Sequence, residues 1–151
     1  MPAPLVVPDA SVLLKWVLPS DDEPDVDRAL LLRDAILNET VRALLPALWL
    51  YEVGNTIARR FPAQAAAWIS ALIRFGIAEV PTATSWLSQA LALTGRHDVT
   101  FYDAAYHSVA IVHSGVLVTA DSRYIERAAE SGSIMPLSKW QPPRTPPGRR
   151  K

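Results

Sequence analysis

Four acidic residues stand at comparable places in this chain: two follow predicted strands, and two lie in predicted helices. They are Asp9, Glu52, Asp103 and Asp121. Carboxylates that converge in one crevice repel one another, so a positive charge has to neutralise them. A hard divalent cation bound through oxygen is the simplest such charge, and Mg²⁺ or Mn²⁺ suits these ligands. The residue types therefore indicate a metal site if the fold brings the acids together.

Each acid also has a purely structural interpretation. Asp9 and Asp121 directly precede predicted helices, where an aspartate caps the free N–H groups of the first turn. Thr100 and Asp103 have the spacing of a capping box, which would close a helix end. Glu52 fits an ordinary solvated position on a helix. Singly, the structural interpretation is the simpler one for each residue. Together, four acids in matching positions favour the metal site.

The elements that would position these acids alternate between strands and helices. Short apolar runs that end at proline or a polar residue predict strands, because proline has no N–H to donate to a strand ladder. The predicted strands are 5–7, 43–46, 77–81, 116–119 and 134–137. The predicted helices are 10–17, one from the acidic segment 20–27 to 37, 47–60, 62–75, 85–94, 101–114 and 122–131. This alternation predicts an α/β fold, a three-layer α/β/α sandwich with a central parallel sheet.

The order of the acids along this pattern points to one edge of the sheet. Ligands of open α/β sheets bind beyond the carboxyl ends of the strands, where the winding of the chain reverses. If the first and fourth strands are neighbours, this reversal falls between them. Asp9 and Asp121 would then flank the crevice.

Composition excludes several other classes of protein. The 151 residues suffice for one domain with a sizeable core, and the absence of cysteine removes disulfides and thiolate metal sites. No apolar run approaches the roughly 20 residues of a membrane-spanning helix, and no basic signal-peptide segment opens the chain. We therefore expect a soluble, cytoplasmic protein without a membrane partner. Hydrophobic residues make up 50% of the chain, which predicts that a partner or second copy covers part of the surface.

The charge is uneven although the formal net charge is zero. Residues 138–151 contain five basic residues and no acidic one, so residues 1–137 contain ten basic and fifteen acidic residues. The proline-rich sequence of the last segment predicts an extended, polyproline-like tail. We expect one domain over residues 1–137 and a basic, proline-rich tail over residues 138–151.

Four short motifs resemble those of PIN-domain nucleases of the VapC toxin type. They are VVPDASVLLKW (6–16), PALWLYEVGN (46–55), TFYDAAY (100–106) and LVTAD (117–121). Their order and spacing fit the family, and the resemblance covers about residues 5–137. It implies a PIN fold with sheet order 3-2-1-4-5. It further implies a Mg²⁺- or Mn²⁺-dependent endoribonuclease that belongs to a type II toxin–antitoxin pair.

The resemblance also assigns roles by position. It implies that the acids of the four motifs bind the metal and carry catalysis: Asp9, Glu52, Asp103 and Asp121. The supporting polar residues would be Ser11, Asn55 and Thr119. The implied partners are RNA, cleaved as single strands or loops, and a small antitoxin protein. The apolar helices 62–75 and 85–94 predict a homodimer and a groove for an antitoxin helix.

The implied reaction is hydrolysis by a metal-activated water, which leaves a 5′-phosphate and a 3′-hydroxyl. Attack by the ribose 2′-OH would need no metal, but the three histidines, His97, His107 and His113, show no paired arrangement for it. His107 lies one turn after Asp103, and we expect it to be a partly exposed structural histidine.

Other interpretations remain open from the residues alone. A metal-dependent phosphatase of the haloacid dehalogenase type also begins with a strand and an aspartate, but it has a second aspartate where this chain has Ser11. A phosphoreceiver domain requires adjacent acids near the first strand and a late lysine, and neither is in place. The last alternative is a catalytically inactive PIN-like module that only binds other proteins.

Overall fold

The computed structural model describes residues 2–19, 21 and 23–144, so the end of the predicted tail, residues 145–151, lies outside the described part. Within that part, strands and helices alternate. The strands are β1 (Leu5–Pro8), β2 (Arg42–Pro46), β3 (Ala78–Val80), β4 (Val116–Thr119) and β5 (Ile134–Pro136). The helices are α1 (Ala10–Lys15), α2 (Val26–Leu37), α3 (Trp49–Arg60), α4 (Ala65–Arg74), α5 (Thr84–His97), α6 (Phe101–Val112) and α7 (Ser122–Ala128).

The five strands form one parallel sheet in the order β3-β2-β1-β4-β5. β1 lies in the middle, where Val6 is paired with Ala43 of β2 and with Val116 of β4. The helices flank this sheet as the outer layers of a three-layer α/β/α sandwich. The predicted fold class and strand order are therefore confirmed.

The core lies around the two central strands. Val7, Leu117 and Val118 are fully buried, as expected for strands that helices cover on both faces. Gly115 brings β4 against the start of β1, because a Cβ atom there would lie 2.9 Å from the backbone oxygen of Leu5. A larger residue at this position would push the two central strands apart.

Most differences from the predicted elements lie at helix ends. α5 was expected to end at Thr94 before Gly95, but it continues to His97. Its last turn is retained because Leu93 and His97 are buried, and Asp98 then ends it in the left-handed conformation at φ 52°. α1 and α6 end earlier than predicted, while α3, α4 and β3 begin later, and α7 passes into a 3-10 turn over Ala129–Ser131.

The acidic segment before α2 was expected to form the first turn of that helix. The helix instead begins at Val26, because Asp25 is left-handed at φ 58° and cannot belong to it. Only Asp27 lies in the first turn. Glu23 has a different partner, since its carboxylate binds the buried ammonium of Lys15 at 2.9 Å.

The packed structure continues beyond the predicted boundary at Leu137. Trp140 is buried against the core, and the Arg28 guanidinium donates a hydrogen bond of 2.6 Å to its carbonyl oxygen. Among the helices described here, none has the length and apolarity to cross a membrane.

Candidate metal centre

Asp9 and Asp121 lie at the carboxyl ends of the adjacent strands β1 and β4 and cap the helices that follow. The Asp9 carboxylate accepts from the backbone N–H of Val12 at 3.3 Å. The Asp121 carboxylate accepts from the N–H groups of Arg123 and Tyr124 at 3.0 and 3.2 Å. The expected capping is thus present for both residues. Capping does not compete with a metal site, because it holds each carboxylate at the same edge of the sheet.

A hydrogen-bonded chain joins these two acids across the sheet. The Ser11 hydroxyl donates to the Asp9 carboxylate at 2.5 Å and accepts from the backbone N–H of Ala120 at 2.9 Å. The Ser11 and Thr119 hydroxyl oxygens are 3.4 Å apart, and Thr119 accepts from the backbone N–H of Asp121 at 3.0 Å. Both hydroxyls therefore fix the acids relative to each other.

Glu52 and Asp103 stand in the first turns of α3 and α6. The Thr100 hydroxyl accepts from the backbone N–H of Asp103 at 3.2 Å, as the capping-box spacing predicts. Glu52 is not a solvated helix residue, because its Oε2 atom is buried and has no hydrogen-bond partner among the described residues. Asn55 lies exposed one turn further along α3, and no hydrogen bond within the described part of the chain joins it to an acid.

The charges of the acids act on one another. Burial is the main cause that raises the pKa of Asp9 from 3.8 to about 6; the hydroxyls of Ser11 and Thr119 oppose it, and the charge of Asp103 adds to it. Burial, and then the charges of Asp103 and Asp9, raise the pKa of Glu52 from 4.5 to about 7. Burial and the charge of Asp121 raise the pKa of Asp103, against the effect of Thr100. The fold thus brings all four predicted acids into one electrostatic cluster.

Asp103 and Asp121 share a cavity of about 240 Å³ at this edge of the sheet. Its other lining residues are Asp98, Val99, Thr100, Arg123, Tyr124 and Arg127. A larger cavity of about 660 Å³ opens at the opposite end of the strands, between Leu5, Arg42 and Ala78, and contains none of the four acids. The smaller cavity is therefore the one that lies beside predicted site residues.

Tyr106 also lies close to these acids, although no role is predicted for it from the sequence. Its side chain is fully buried, and its hydroxyl has no hydrogen-bond partner in the described structure. Burial, followed by the charges of Glu52, Asp9 and Asp103, raises its pKa. A tyrosine on the apolar face of a helix is typically a core residue. The available signal was its position three residues after Asp103, which places both on neighbouring turns of one face.

His107 is structural, as expected, but fully buried rather than partly exposed. Its Nδ1 is 2.6 Å from the Tyr124 hydroxyl and its Nε2 is 2.7 Å from the carbonyl oxygen of Gly132. Because both ring nitrogens have partners, the ring can be buried at little cost. Burial lowers the pKa of His107, so the ring is held neutral, and it supports the wall of the cavity through Tyr124.

The donor atoms of this cluster fit a hard divalent cation. All four acids offer oxygen, the set contains no sulfur, and the buried Oε2 of Glu52 lacks a partner. Among the described residues, no group of three Asp, Glu or His side chains lies close enough together to hold a metal ion. Repulsion between the uncompensated carboxylates opposes such an approach, and a cation would remove it.

These features define an α/β/α protein with an acidic crevice at the switch point of its sheet. The family profile described as PIN domain matches residues 6–130, and the chain belongs to the PIN-domain family. The crystal structure of PAE2754 from Pyrobaculum aerophilum is similar, with a TM-score of 0.63, 20% identity and 90% of each chain covered. FitAcB from Neisseria gonorrhoeae matches with a TM-score of 0.62 and 14% identity, over 89% of this chain and 99% of that chain. No curated protein sequence is similar enough to this chain to count as a match.

Proposed function

We propose that this protein is a Mg²⁺- or Mn²⁺-dependent endoribonuclease that cleaves single-stranded RNA or RNA loops as the toxin of a type II toxin–antitoxin pair. PIN domains are typically metal-dependent nucleases. The observation that carries the proposal is the placement of the four acids: two follow the adjacent strands β1 and β4, and two lie in the first turns of α3 and α6. Burial and neighbouring carboxylate charges raise the pKa of Asp9, Glu52 and Asp103, which agrees with this placement. The resemblance of the four motifs to VapC-type toxins supports the finer assignment.

Each residue of the cluster has a task in this proposal. Asp9, Glu52, Asp103 and Asp121 would hold the cation, which when bound activates water and offsets charge on the phosphate. Ser11 and Thr119 keep the acids of β1 and β4 in place. Burial and the charges of Asp103 and Asp9 raise the pKa of Glu52 to about 7, so a proton and a cation compete for this carboxylate near neutral pH.

The direct test is to incubate RNA with the purified protein, with and without Mn²⁺ or Mg²⁺. We expect cleavage of single-stranded RNA to products with a 5′-phosphate and a 3′-hydroxyl, and EDTA should abolish it. Asp9→Asn and Glu52→Gln should lose cleavage, whereas Asp34→Asn, an exposed acid on α2, should retain it. Cleavage that survives full chelation, or normal cleavage by folded Asp9→Asn protein, would refute the proposal.

We further propose that the protein forms a homodimer and binds a small antitoxin. The apolar side chains of Ile73 on α4 and Leu91 on α5 are exposed, on the two helices whose sequences predict an interface. Exposed apolar side chains contribute to protein–protein contacts where they form a patch. An antitoxin helix would present its own apolar face to such a surface.

A further inference from the structure

Exposed aromatic side chains of the described structure stand directly before acids of the cluster. Tyr51 precedes Glu52, and Phe101 and Tyr102 precede Asp103. Tyr51 is 76% exposed, Tyr102 is 54% exposed and Phe101 is 36% exposed. The other large hydrophobic side chains exposed in this part of the chain are aliphatic and do not adjoin the acids: Leu31, Leu37, Ile73, Leu91 and Val112. We call Tyr51, Phe101 and Tyr102 the aromatic rim.

The aromatic rim lies on the two helices whose first turns carry Glu52 and Asp103. Neighbouring Cα atoms are about 3.8 Å apart, so each rim residue lies within a few ångströms of an acid's backbone. Successive side chains point about 100° apart around a helix, so an acid can face inward while its neighbour faces solvent. α3 and α6 thus each contribute one half-buried acid and exposed aromatic surface beside it.

Packing does not explain why these aromatic rings are exposed. The inner face of α3 is already formed by Trp49, Val53 and Ile57, which are buried. Tyr51 adds nothing to that core. An aromatic ring left in water gives up the free energy that its burial would contribute, so the exposed rings call for a ligand with apolar faces.

Basic residues beside the acids indicate the charge of that ligand. Arg123 and Arg127 line the cavity together with Asp103 and Asp121. Arg127 is held there, because its Nη1 donates to the carbonyl oxygen of Asp98 at 2.8 Å. Guanidinium groups bind phosphates through charge-assisted hydrogen bonds. They would offset the repulsion between the acids and a polyanion.

We propose that the aromatic rim is a stacking platform for the unpaired bases of single-stranded RNA on either side of the acid cluster, with Arg123 and Arg127 on the backbone phosphates. The inference rests on the proposed function, because that function makes RNA the ligand. Stacking on aromatic rings tolerates any base but requires that the base be unpaired. The rim therefore selects single strands over duplexes and does not select sequence.

Binding has to be measured without cleavage. The full chain with Glu52→Gln serves as the parent, titrated without divalent metal into a fluorescein-labelled single-stranded RNA and followed by anisotropy. Tyr51→Ala and Tyr102→Ala added to this parent should each weaken binding by about 5- to 100-fold, the range that loss of one stacked base gives. Tyr51→Phe and Tyr102→Phe should restore it. Leu31→Ala, which shortens an exposed aliphatic residue on α2, should change nothing.

An abasic strand of equal length is the second probe. Stacking predicts that Tyr51→Ala and Tyr102→Ala leave the affinity for the abasic strand unchanged, because it offers no base. Equal losses on both strands, or unchanged affinity for the normal strand, would overturn the inference. In the latter case the rim is free to contact a protein partner.

The two proposals can fail separately. In one outcome, the wild-type protein fails to cut RNA while the tyrosine variants still lose affinity for the normal strand and not for the abasic strand. That result would refute the nuclease proposal and support the stacking platform. If the wild type cleaves RNA in the presence of metal but the alanine variants bind RNA as tightly as the parent does, the nuclease proposal is supported and the stacking platform is refuted.

Discussion

Replacement of Asp9 by asparagine should stabilise the metal-free protein at neutral and alkaline pH. Burial, with the charge of Asp103, raises the pKa of this carboxyl from 3.8 to about 6. The folded protein therefore binds this proton more tightly than the unfolded chain does. Below pH 3.8 the carboxyl is protonated in both the folded and the unfolded protein, and its burial costs no stability. As the pH rises from 3.8 through about 6, the unfolded chain loses the proton first, and the folded protein loses stability relative to it.

The size of the effect follows from the shift. The change from 3.8 to about 6 corresponds to about 3 kcal/mol of lost stability once the pH is well above 6. The same relation gives a loss of about 2 kcal/mol near pH 5 and less than about 1 kcal/mol near pH 4. Asparagine has the same shape, remains a good N-cap and can still accept from Val12, so the cap should survive the change. Asp9→Asn should recover at most these amounts.

Thermal unfolding of the metal-free proteins measures the difference in stability between Asp9→Asn and wild type. For a chain of this length, each kcal/mol shifts the melting temperature by about 2 to 4 °C, so Asp9→Asn should melt up to about 6 to 12 °C above wild type near pH 8. The difference should shrink to about 1 to 2 °C near pH 4. Added Mg²⁺ should raise the melting temperature of the wild type more than that of the variant, because a ligand of the native state stabilises it.

Asp34→Asn is the matched control. Asp34 is exposed and paired with Arg33 at 3.1 Å on the surface, a contact worth well under about 1 kcal/mol, so its replacement should have little effect at any pH. A melting difference for Asp9→Asn that is the same near pH 4 and near pH 8 would refute the reasoning. So would a variant that melts below wild type near pH 8.

Two other expectations concern the cluster's wall and the assembly. Tyr106→Phe removes a buried hydroxyl without a partner, so the melting temperature should stay unchanged or rise. Tyr124→Phe breaks the 2.6 Å hydrogen bond to His107 and should cost about 1 kcal/mol of stability. A lower melting temperature for Tyr106→Phe than for Tyr124→Phe would contradict this expectation. Light scattering at micromolar concentration should give twice the chain mass of 16.6 kDa, and Ile73→Lys on α4 should reduce it to that of one chain; a monomeric wild type would contradict the dimer.

The order of the elements could be predicted because the strongest signals are local. The apolar triplet Leu5–Val7 and the proline after it specify a buried strand without reference to any other segment. The end of α5 could not be predicted in this way. Glycine inside a helix costs about 1 kcal/mol, which favours a stop at Gly95. The helix continues because His97 packs inside and binds the Ser131 hydroxyl at 2.6 Å, a contact between residues far apart in sequence.

The identity of the four acids could be predicted, but their environment could not. Type and position relative to the strands were enough to select Asp9 and Asp121. The burial of the Glu52 Oε2 atom depends on how α3 packs against the rest of the fold, which no local pattern encodes. The same holds for Tyr106, whose hydroxyl comes under the charges of three acids only in the folded sheet. Sequence alone treats helix capping and metal binding as alternative roles for Asp9, but in the structure Asp9 caps α1 within the acid cluster.

The central place of β1 in the sheet also sets the order in which the molecule can assemble during synthesis. β1 emerges first, but Val6 pairs with Val116 of β4, which is made 110 residues later. At about 5 to 20 residues per second, that interval lasts roughly 5 to 20 s. Meanwhile β1, β2 and β3 can pair, and α6 with Asp103 can follow, because α6 packs on β1 and β2 as well as on β4. A nascent chain therefore lacks Asp121, the last acid of the cluster, until β4 and the residue pair after it have left the ribosome.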